Sequence, residues 1–296
     1  MDIRELQYFL EIAREQNITR AAEKLHISQP PLSRQMQALE EELGVQLFIR
    51  GKRKITLTTE GAFLKERAEQ LVELSQKTKR QIQELGDIVG GMLYIGSVES
   101  LATGMMPKWI EAFHKQFPKV CFHWSSGNSD DVLERLEKGI IDVAIVRAPC
   151  NDEKFTCISL GKEPWAVFFH QEHALARRQG DTVDLCELNG EPLIIPARKS
   201  REREIAGWFH KNGYEANICY QISPVLNAVS LVEYNMGAAI LPESVNDYAV
   251  QKKIGMKRIV NPVMESEILM VYRKFTTLPD AAARFVQFIC ERKETD

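Results

Sequence analysis

Apolar residues recur at helical spacing from the start of the chain. Leu6, Phe9, Leu10 and Ala13 follow the i, i+3, i+4, i+7 pattern that is typical of one face of an amphipathic helix. Thr19 then predicts the N-cap of a second, short helix, because a threonine hydroxyl accepts a hydrogen bond from a free N–H of the first turn. The inward positions of that helix are Ala21, Ala22 and Leu25.

A third helix is predicted after a short break. Ser28 or Gln29 is expected to cap it, and Pro30 and Pro31 are tolerated in its first turn, where a missing N–H costs no hydrogen bond. Gly44 ends it, as a glycine after a last helical turn does. The apolar stripe consists of Leu32, Met36, Leu39 and Leu43. A helix, a short helix, a tight turn and a helix form a helix-turn-helix.

Residues 45–58 predict a two-stranded wing. The β-prone runs 47–49 and 55–57 are separated by a polar tip that contains a glycine. Four cations lie within five residues on this hairpin: Arg50, Lys52, Arg53 and Lys54. A cationic wing of this kind lies along phosphates or enters the minor groove of DNA. The formal net charge of −3 does not argue against this, because DNA binding needs only a local basic surface.

The outward side chains at the start of the third helix are the candidate base readers. In a helix-turn-helix these side chains meet base edges and phosphates in the major groove. Arginine pairs with guanine, glutamine with adenine, and proline contacts the methyl group of thymine. Together with the wing cations, the candidate DNA-binding residues are Ser28, Gln29, Pro30, Pro31, Ser33, Arg34 and Gln37.

Residues 59–89 predict one long helix, since they contain no proline and only an early glycine. One row repeats every seven residues at Leu64, Leu71, Thr78 and Leu85, and a second at Ala68, Ser75, Ile82 and Val89. This heptad pattern favours a two-stranded coiled coil that makes the protein a dimer. The alternative is a helix packed on its own domain. We therefore divide the chain into a DNA-binding domain over 1–58, a linker helix over 59–89 and a third domain over 90–296.

The pattern after Gly90 and Gly91 predicts alternating strands and helices, and hence parallel sheets with right-handed crossovers. In the first half, strands are expected at 93–96, 120–125 and 140–146, and helices at 106–117 and 130–138. In the second half, strands are expected at 165–169, 193–195, 217–221 and 238–241, and helices at 200–212 and 225–235. A return strand at 267–272 and a helix at 280–292 close the chain. Two α/β lobes result, one over about 90–161 and 267–296, the other over about 162–266.

A ligand is expected at the carboxyl ends of these strands, where loops and helix N-termini converge. In the first lobe the candidates are Ser97, Glu99, Ser100, Asn128, Ser129 and Arg147. In the second lobe they are Pro196, Arg198, Pro224 and Val225. Helix N-termini, hydroxyls and guanidinium groups suit a carboxylate or another anion. Glu99 either selects an amino group on the ligand or pairs with one of the arginines.

Composition narrows the function classes. A chain of 296 residues with 44% hydrophobic and 27% charged residues indicates a soluble globular protein of two or three domains. Neither a secretory signal nor an apolar run of spanning length is recognisable, which favours the cytoplasm. The six cysteines form no CxxC pair, and no histidine lies at zinc spacing, so we expect buried thiols and no metal. Nucleophile-elbow and phosphate-loop motifs are also missing, so we expect neither an enzyme nor a cofactor.

Residues 6–61 closely resemble the DNA-binding domain of LysR-type transcriptional regulators. The resemblance rests on Phe9, Ala21-Ala22-x-x-Leu25, Ser28-Gln29-Pro30-x-Leu32-Ser33, Leu39-Glu40-x-x-Leu43-Gly44, Leu47-Phe48-x-Arg50 and Leu57-Thr58-x-x-Gly61. Weaker matches extend it to the rest of the chain: Leu133-x-x-Leu136-x-x-Gly139-x-x-Asp142-Val143-Ala144-Ile145 and Gly237-x-x-x-Leu241-Pro242.

The resemblance implies an all-α winged helix-turn-helix domain, a long linker helix and a two-lobed α/β effector domain built like periplasmic solute-binding proteins. It implies a homodimer, with a tetramer as a dimer of dimers, that binds near-palindromic double-stranded DNA and a small-molecule effector. RNA polymerase is a further candidate partner. Ser100, Asn128, Arg147 and Pro196 align with effector-contacting positions of the family. The alternative is a DNA-binding regulator that is independent of a ligand or controlled by redox state.

Overall fold

The computed structural model describes residues 1–51, 54–83, 90–102, 104–249 and 253–293. The chain separates into two compact units, Met1–Leu85 and Gly86–Asp296. The first unit contains the helices α1 Ile3–Glu15, α2 Ile18–Lys24, α3 Gln29–Leu43 and α4 Thr59–Gln83, and the strands β1 Phe48–Arg50 and β2 Ile55–Leu57. The two strands pair in an antiparallel hairpin. This is the predicted helix-turn-helix with a wing and a long following helix.

The caps of these helices are partly those that the sequence predicts. Gly44 ends α3 at a φ of 68°, a left-handed conformation that glycine adopts without a Cβ clash, which confirms the prediction. The prediction that Thr19 caps α2 is wrong. Asn17 is the cap, because its backbone is extended and its Oδ1 accepts a hydrogen bond from the Arg20 N–H at 3.1 Å. Thr19 consequently lies inside the first turn.

The core of the first unit joins the apolar faces of its helices to the wing. Leu6, Phe9 and Ile12 of α1 and Leu32, Met36 and Leu39 of α3 are fully buried in one cluster. The rings of Phe9 and Phe48 lie 5.2 Å apart. Because the inner stripe of α3 is buried, its opposite stripe is turned to solvent.

Helix α4 uses part of the predicted heptad seam within its own unit. Ala68 is fully buried, and Leu64 and Val72 pack against the same core cluster. The prediction that Ala68 faces a partner helix is therefore wrong, because its side chain is already buried in the core of its own unit. Leu71, by contrast, is exposed. Positions 85 and 89 and the side chain of position 82 lie outside the described residues.

The second unit contains two parallel arrays that antiparallel strands join into one sheet. The strands are β3 Gly91–Val98, β4 Val120–Gly127, β5 Val143–Arg147, β6 Phe155–His170, β7 Thr182–Asp184, β8 Leu193–Pro196, β9 Ile218–Ile222, β10 Ala238–Pro242, β11 Ile254–Val260 and β12 Glu265–Arg273. The helices are α5 Met105–Gln116, α6 Ser129–Glu137, α7 Lys199–Lys211, α8 Asn227–Glu233, α9 Asn246–Ala249 and α10 Asp280–Lys293. Short 3₁₀ helices occupy several connections.

The strand order is β4-β3-β5-β12-β6-β10-β8-β9, with β11 on β6 and β7 on β11. The strands β4, β3 and β5 are parallel, as are β10, β8 and β9, which confirms the two predicted α/β lobes. We call the sheet end around β3, β4 and β5 lobe I and the end around β8, β9 and β10 lobe II. Each lobe has its own hydrophobic core.

Strand β6 connects the lobes and is much longer than predicted. The sequence indicates a strand only over 165–169, because Gly161 and Pro164 disfavour strand structure. The observed strand runs over 16 residues, pairing with β12 in lobe I and with β10 and β11 in lobe II. Gly161, at a φ of 126°, accommodates the register shift against β12. Long-range pairing therefore overrides the local preference.

The prediction of buried cysteines is also wrong. Cys121 and Cys219 lie at outward positions of the edge strands β4 and β9, and Cys186 is exposed as well. Cys150 and Cys157 are joined in a disulfide that spans the connection between β5 and β6. Among the residues that the structure describes, none of the helices has the length and apolar character needed to cross a membrane.

Candidate functional site

The outer face of α3 carries the candidate base readers on one surface. Arg34 and Gln37 are exposed, while Leu32, Met36 and Leu39 on the opposite face are buried. Ser28 holds the N-cap position, and its backbone rather than its side chain starts the helix. The other exposed candidates at this end are Gln29, Pro30 and Pro31, and Ser33 is half-buried. The predicted DNA-reading residues are thus available at one end of one helix.

The wing is hydrogen-bonded to helix α3. Oε1 of Glu40 in α3 accepts hydrogen bonds from the backbone N–H groups of Leu47 and Phe48, at 2.7 and 3.1 Å. Lys54 is exposed beside the tip of the hairpin. Lys52 and Arg53 lie outside the described residues, as does the side chain of Arg50. Glu40 therefore sets the position of the wing relative to the reading helix.

A cleft of about 530 Å³ lies between the two lobes of the second unit. The fold brings eight of the ten predicted ligand residues to its lining: Glu99, Ser100, Asn128, Ser129, Arg147, Pro196, Arg198 and Val225. Ser97 and Pro224 do not line it. Ser97 is fully buried and accepts a hydrogen bond from the Trp124 indole N–H at 2.9 Å, and Pro224 is exposed on the surface.

Arg147 lies at the floor of the cleft and is already charge-paired. Its guanidinium group is 2.5 Å from the Glu163 carboxylate, and both residues are less than 10% exposed. It also donates to the hydroxyls of Ser100 at 2.9 Å and of Ser244 and Ser266 at 3.2 Å. Burial lowers the pKa of Arg147, and Glu163 opposes that shift. Arg147 therefore organises three hydroxyl groups rather than offering an uncompensated positive charge.

Arg198 and Glu99 each make a contact that crosses the cleft between the lobes. Arg198 of lobe II donates from Nε to Asp130 at 2.7 Å, and its Nη2 binds the other carboxylate oxygen of Asp130. Glu99 of lobe I accepts a hydrogen bond from the Val225 N–H at 2.8 Å. Burial raises the pKa of the Glu99 carboxyl, while the bond from Val225 acts in the opposite direction. Among the described residues the Glu99 carboxylate thus binds a backbone N–H and not one of the arginines, while its selection of an amino group on a ligand stays a prediction.

Trp165 of β6 also lines the cleft and was not among the predicted ligand residues. Its side chain is 1% exposed, and it packs edge-on against Trp208 with ring centroids 5.5 Å apart. The guanidinium carbon of Arg201 lies 5.6 Å from the Trp165 ring centre. Within the described ranges of the chain, the buried Nε1–H of Trp165 has no hydrogen-bond acceptor. An orphaned donor of this kind costs about 1 to 3 kcal/mol until an acceptor reaches it.

Arg201 and Lys199 also line the cleft and were not predicted to do so, since Arg201 lies inside the predicted helix 200–212 and Lys199 directly precedes it. A strand tryptophan and a helical arginine are ordinary core and surface residues in sequence. Only the tertiary structure shows that the indole N–H of Trp165 is buried without an acceptor among the described residues.

Asn128 caps α6 and so has a structural role beside the cleft. Its Oδ1 accepts hydrogen bonds from the N–H groups of Asp130 and Asp131, at 2.9 and 3.0 Å. Replacing Asn128 with alanine should lower the free energy of unfolding by about 1 kcal/mol, as for other N-caps. Urea denaturation measures this loss, and the Asn128→Ser variant should keep most of the stability. Equal stability of the alanine variant and the wild type would contradict the capping role.

Comparisons with known proteins cover the chain from end to end. The family model described as "LysR substrate binding domain" matches residues 87–294, and that described as "Bacterial regulatory helix-turn-helix protein, lysR family" matches residues 3–62. The HTH-type transcriptional regulator BsdA of Bacillus subtilis (strain 168) is 32% identical over 290 residues, covering 97% of this chain and 99% of that protein.

Solved structures of CbnR resemble this chain over its whole length. The crystal structure of CbnR, a LysR family transcriptional regulator, has a TM-score of 0.82 at 28% identity and covers 100% of both chains. Full-length CbnR complexed with its target DNA has a TM-score of 0.81 at 28% identity, over 99% of this chain and 100% of that one.

Proposed function

The chain belongs to the LysR family of bacterial transcription regulators, and we propose that a small anionic molecule bound between its two lobes controls how its helix-turn-helix acts on DNA. A ligand shifts such a protein only through unequal affinity for its conformations. The residues that close the cleft, Arg198 on Asp130 and Val225 on Glu99, join the lobes directly. A ligand that adds to or replaces these contacts therefore changes the balance between lobe arrangements.

The observation that carries the ligand proposal is that Trp165 lines the cleft while its buried Nε1–H has no acceptor among the described residues. This indole N–H is a donor without an acceptor, and a carboxylate oxygen can accept its hydrogen bond. Lys199 and the hydroxyl of Ser100 line the same cleft and support an anion. Arg201 lines it too, with its charge paired to Glu204. The carboxylates of Glu99, Asp130 and Asp131 are also on the cleft lining. The proposed role is binding rather than catalysis, in keeping with the missing nucleophile and phosphate-loop motifs.

The DNA-facing half of the proposal rests on α3 and the wing, whose exposed side chains suit major-groove and phosphate contacts. Phe63, Leu71 and Leu74 of α4 are exposed and, at 3.6 residues per turn, lie within about 80° of one another around the helix. This apolar stripe suits pairing with a second copy. We therefore propose a homodimer, assembling further as a dimer of dimers, that reads a near-palindromic site beside RNA polymerase in the cytoplasm.

A thermal-shift screen of the full chain tests the ligand half. The probes are aliphatic and aromatic mono- and dicarboxylates, and a ligand at 100 times its Kd should add about 2.7 kcal/mol of stability. The DNA half of the proposal is supported by the structure of full-length CbnR complexed with its target DNA. A panel without any stabilising carboxylate would contradict the anion proposal.

Replacing Trp165 with phenylalanine should weaken the carboxylate found in that screen about tenfold, since one hydrogen bond to the ligand is lost. Calorimetric titration measures the Kd. The matched control is Trp208→Phe, which removes the same atoms from the neighbouring ring that does not line the cleft. An equal change in both variants would mean that the effect comes from packing and not from the indole N–H.

A further inference from the structure

We propose that Cys150 and Cys157 form a reversible dithiol–disulfide site through which a hydroperoxide acts on the same cleft as the ligand. The oxidation itself is independent of the proposed function, and only its effect on regulation rests on it. The two sulfur atoms are bonded in the structure, and seven positions separate the residues. Both side chains are half-buried at the margin of the lobe I core.

The position of this disulfide is what links it to the cleft. Cys150 lies three residues after Arg147, at the end of β5, and Cys157 lies near the start of β6. The disulfide therefore closes the connection that leaves the floor of the cleft and enters the strand joining the lobes. Cys121, Cys186 and Cys219 are exposed and belong to other elements: β4, the 3₁₀ helix at 185–188 and β9.

The segment just before the disulfide makes a hydrogen bond between the lobes. Ala148 donates its N–H to the Glu267 carbonyl at 3.0 Å, and its own carbonyl accepts from Nη2 of Arg201 at 2.7 Å. Arg201 belongs to α7 in lobe II and packs over the ring of Trp165. The sulfur bridge at Cys150 thus restrains the segment on which Arg201 depends. Reduction removes that restraint two residues from the Ala148 carbonyl.

The oxidation balances with a hydroperoxide as the two-electron oxidant. The thiolate of one cysteine attacks the terminal peroxide oxygen, the O–O bond breaks, and the alcohol, or water from hydrogen peroxide, leaves. The sulfur of the second cysteine then attacks the resulting sulfenic acid. An S–S bond forms, and the hydroxyl leaves as water with the remaining thiol proton. An external dithiol reverses the reaction by thiol–disulfide exchange.

The side chain of Asp152 suggests a competing assignment. Its carboxylate and the two sulfur atoms lie within 4.8 Å of one another. The same three groups would suit a thiophilic cation in the reduced protein. The redox proposal therefore predicts oxidation by hydrogen peroxide and an effect on the cleft that Zn²⁺ does not reproduce.

The test uses the reduced full chain in the absence of carboxylates. It is treated with hydrogen peroxide or with Zn²⁺, and its disulfides are mapped by mass spectrometry. We expect a Cys150–Cys157 linkage, loss of alkylation at both residues, and a change in tryptophan emission that a dithiol reverses. Cys150→Ser should abolish the linkage and the emission change, while Cys219→Ser should behave as the wild type.

A second variant tests the route to the cleft. Arg201→Gln should still form the disulfide, but the emission change should be largely lost, because the contact with the Ala148 carbonyl and the guanidinium over Trp165 are both removed. Separate oxidation of Cys150 and Cys157 without a linkage would overturn the proposal. So would an undiminished emission change in Arg201→Gln, or the same change produced by Zn²⁺ alone. A failed carboxylate screen leaves these outcomes unaffected and speaks only against the ligand proposal.

Discussion

Replacing Arg147 with alanine should destabilise the second unit by about 3 to 5 kcal/mol, because Glu163 would be left as a buried charge without its partner. Glu163 is 8% exposed and Arg147 5% exposed, so water cannot take over the role of the guanidinium group. Oε1 of Glu163 also accepts a hydrogen bond from the N–H of Ser244, which holds the carboxylate in its buried position. Three serine hydroxyls lose their common donor as well.

Chemical denaturation, followed by circular dichroism, measures this loss. The matched control is Arg198→Ala, which breaks an ion pair in the same cleft whose Asp130 side chain is 62% exposed. That change should cost at most about 1 kcal/mol, because water solvates the remaining carboxylate. Arg147→Met combined with Glu163→Gln should recover much of the stability, since neither charge remains buried. Equal costs for the two alanine variants would show that Arg147 has no special structural role.

Arg147 combines a structural role with its position on the cleft lining. An alanine variant that fails to respond to a carboxylate would be uninformative if its second unit were unfolded at the assay temperature. Arg147→Lys keeps a positive charge near Glu163 and is the more useful change in a binding assay, although it loses the planar fork that reaches several hydroxyls.

Replacing Arg34 with alanine should reduce discrimination between specific and random DNA by about 1 to 3 kcal/mol, the value of one good bidentate contact to a base. Arg34 is exposed on α3, so its removal leaves the core of the first unit intact. Fluorescence anisotropy with a site selected from a random library and with random duplex measures the difference.

Lys54→Ala is the matched control for Arg34. This exposed wing residue should contribute through phosphates, so its loss should weaken binding to all sequences alike and reduce the dependence on salt concentration. An equal loss on specific and random DNA for Arg34→Ala would contradict its role as a base reader. Unchanged melting of both variants would exclude a folding defect as the cause.

The elements and helix faces of the first unit could be predicted almost completely from the sequence, because they follow from local periodicity and capping residues. Helical periodicity determines which residues of α3 are inside, and so it also identifies Arg34 and Gln37 as outside. The error at Thr19 is of the same local kind, since Asn17 and Thr19 both accept hydrogen bonds and only the backbone conformation selects the cap. The error at Ala68 is different, because heptad spacing does not say whether an apolar seam faces its own domain or another chain.

In the second unit the sequence by itself determined the alternation of strands and helices, and hence which loops meet at the carboxyl ends of the strands. That rule placed eight of ten candidates on the cleft. Only the tertiary structure decided what these residues do there. Glu163 reaches Arg147, Arg201 reaches the Ala148 carbonyl and Cys157 reaches Cys150 because β6 pairs with both lobes, against the local preference of Gly161 and Pro164. Periodicity records the faces of single elements, whereas the partners of a buried charge, an orphaned N–H or a thiol are set by long-range packing that no local pattern contains.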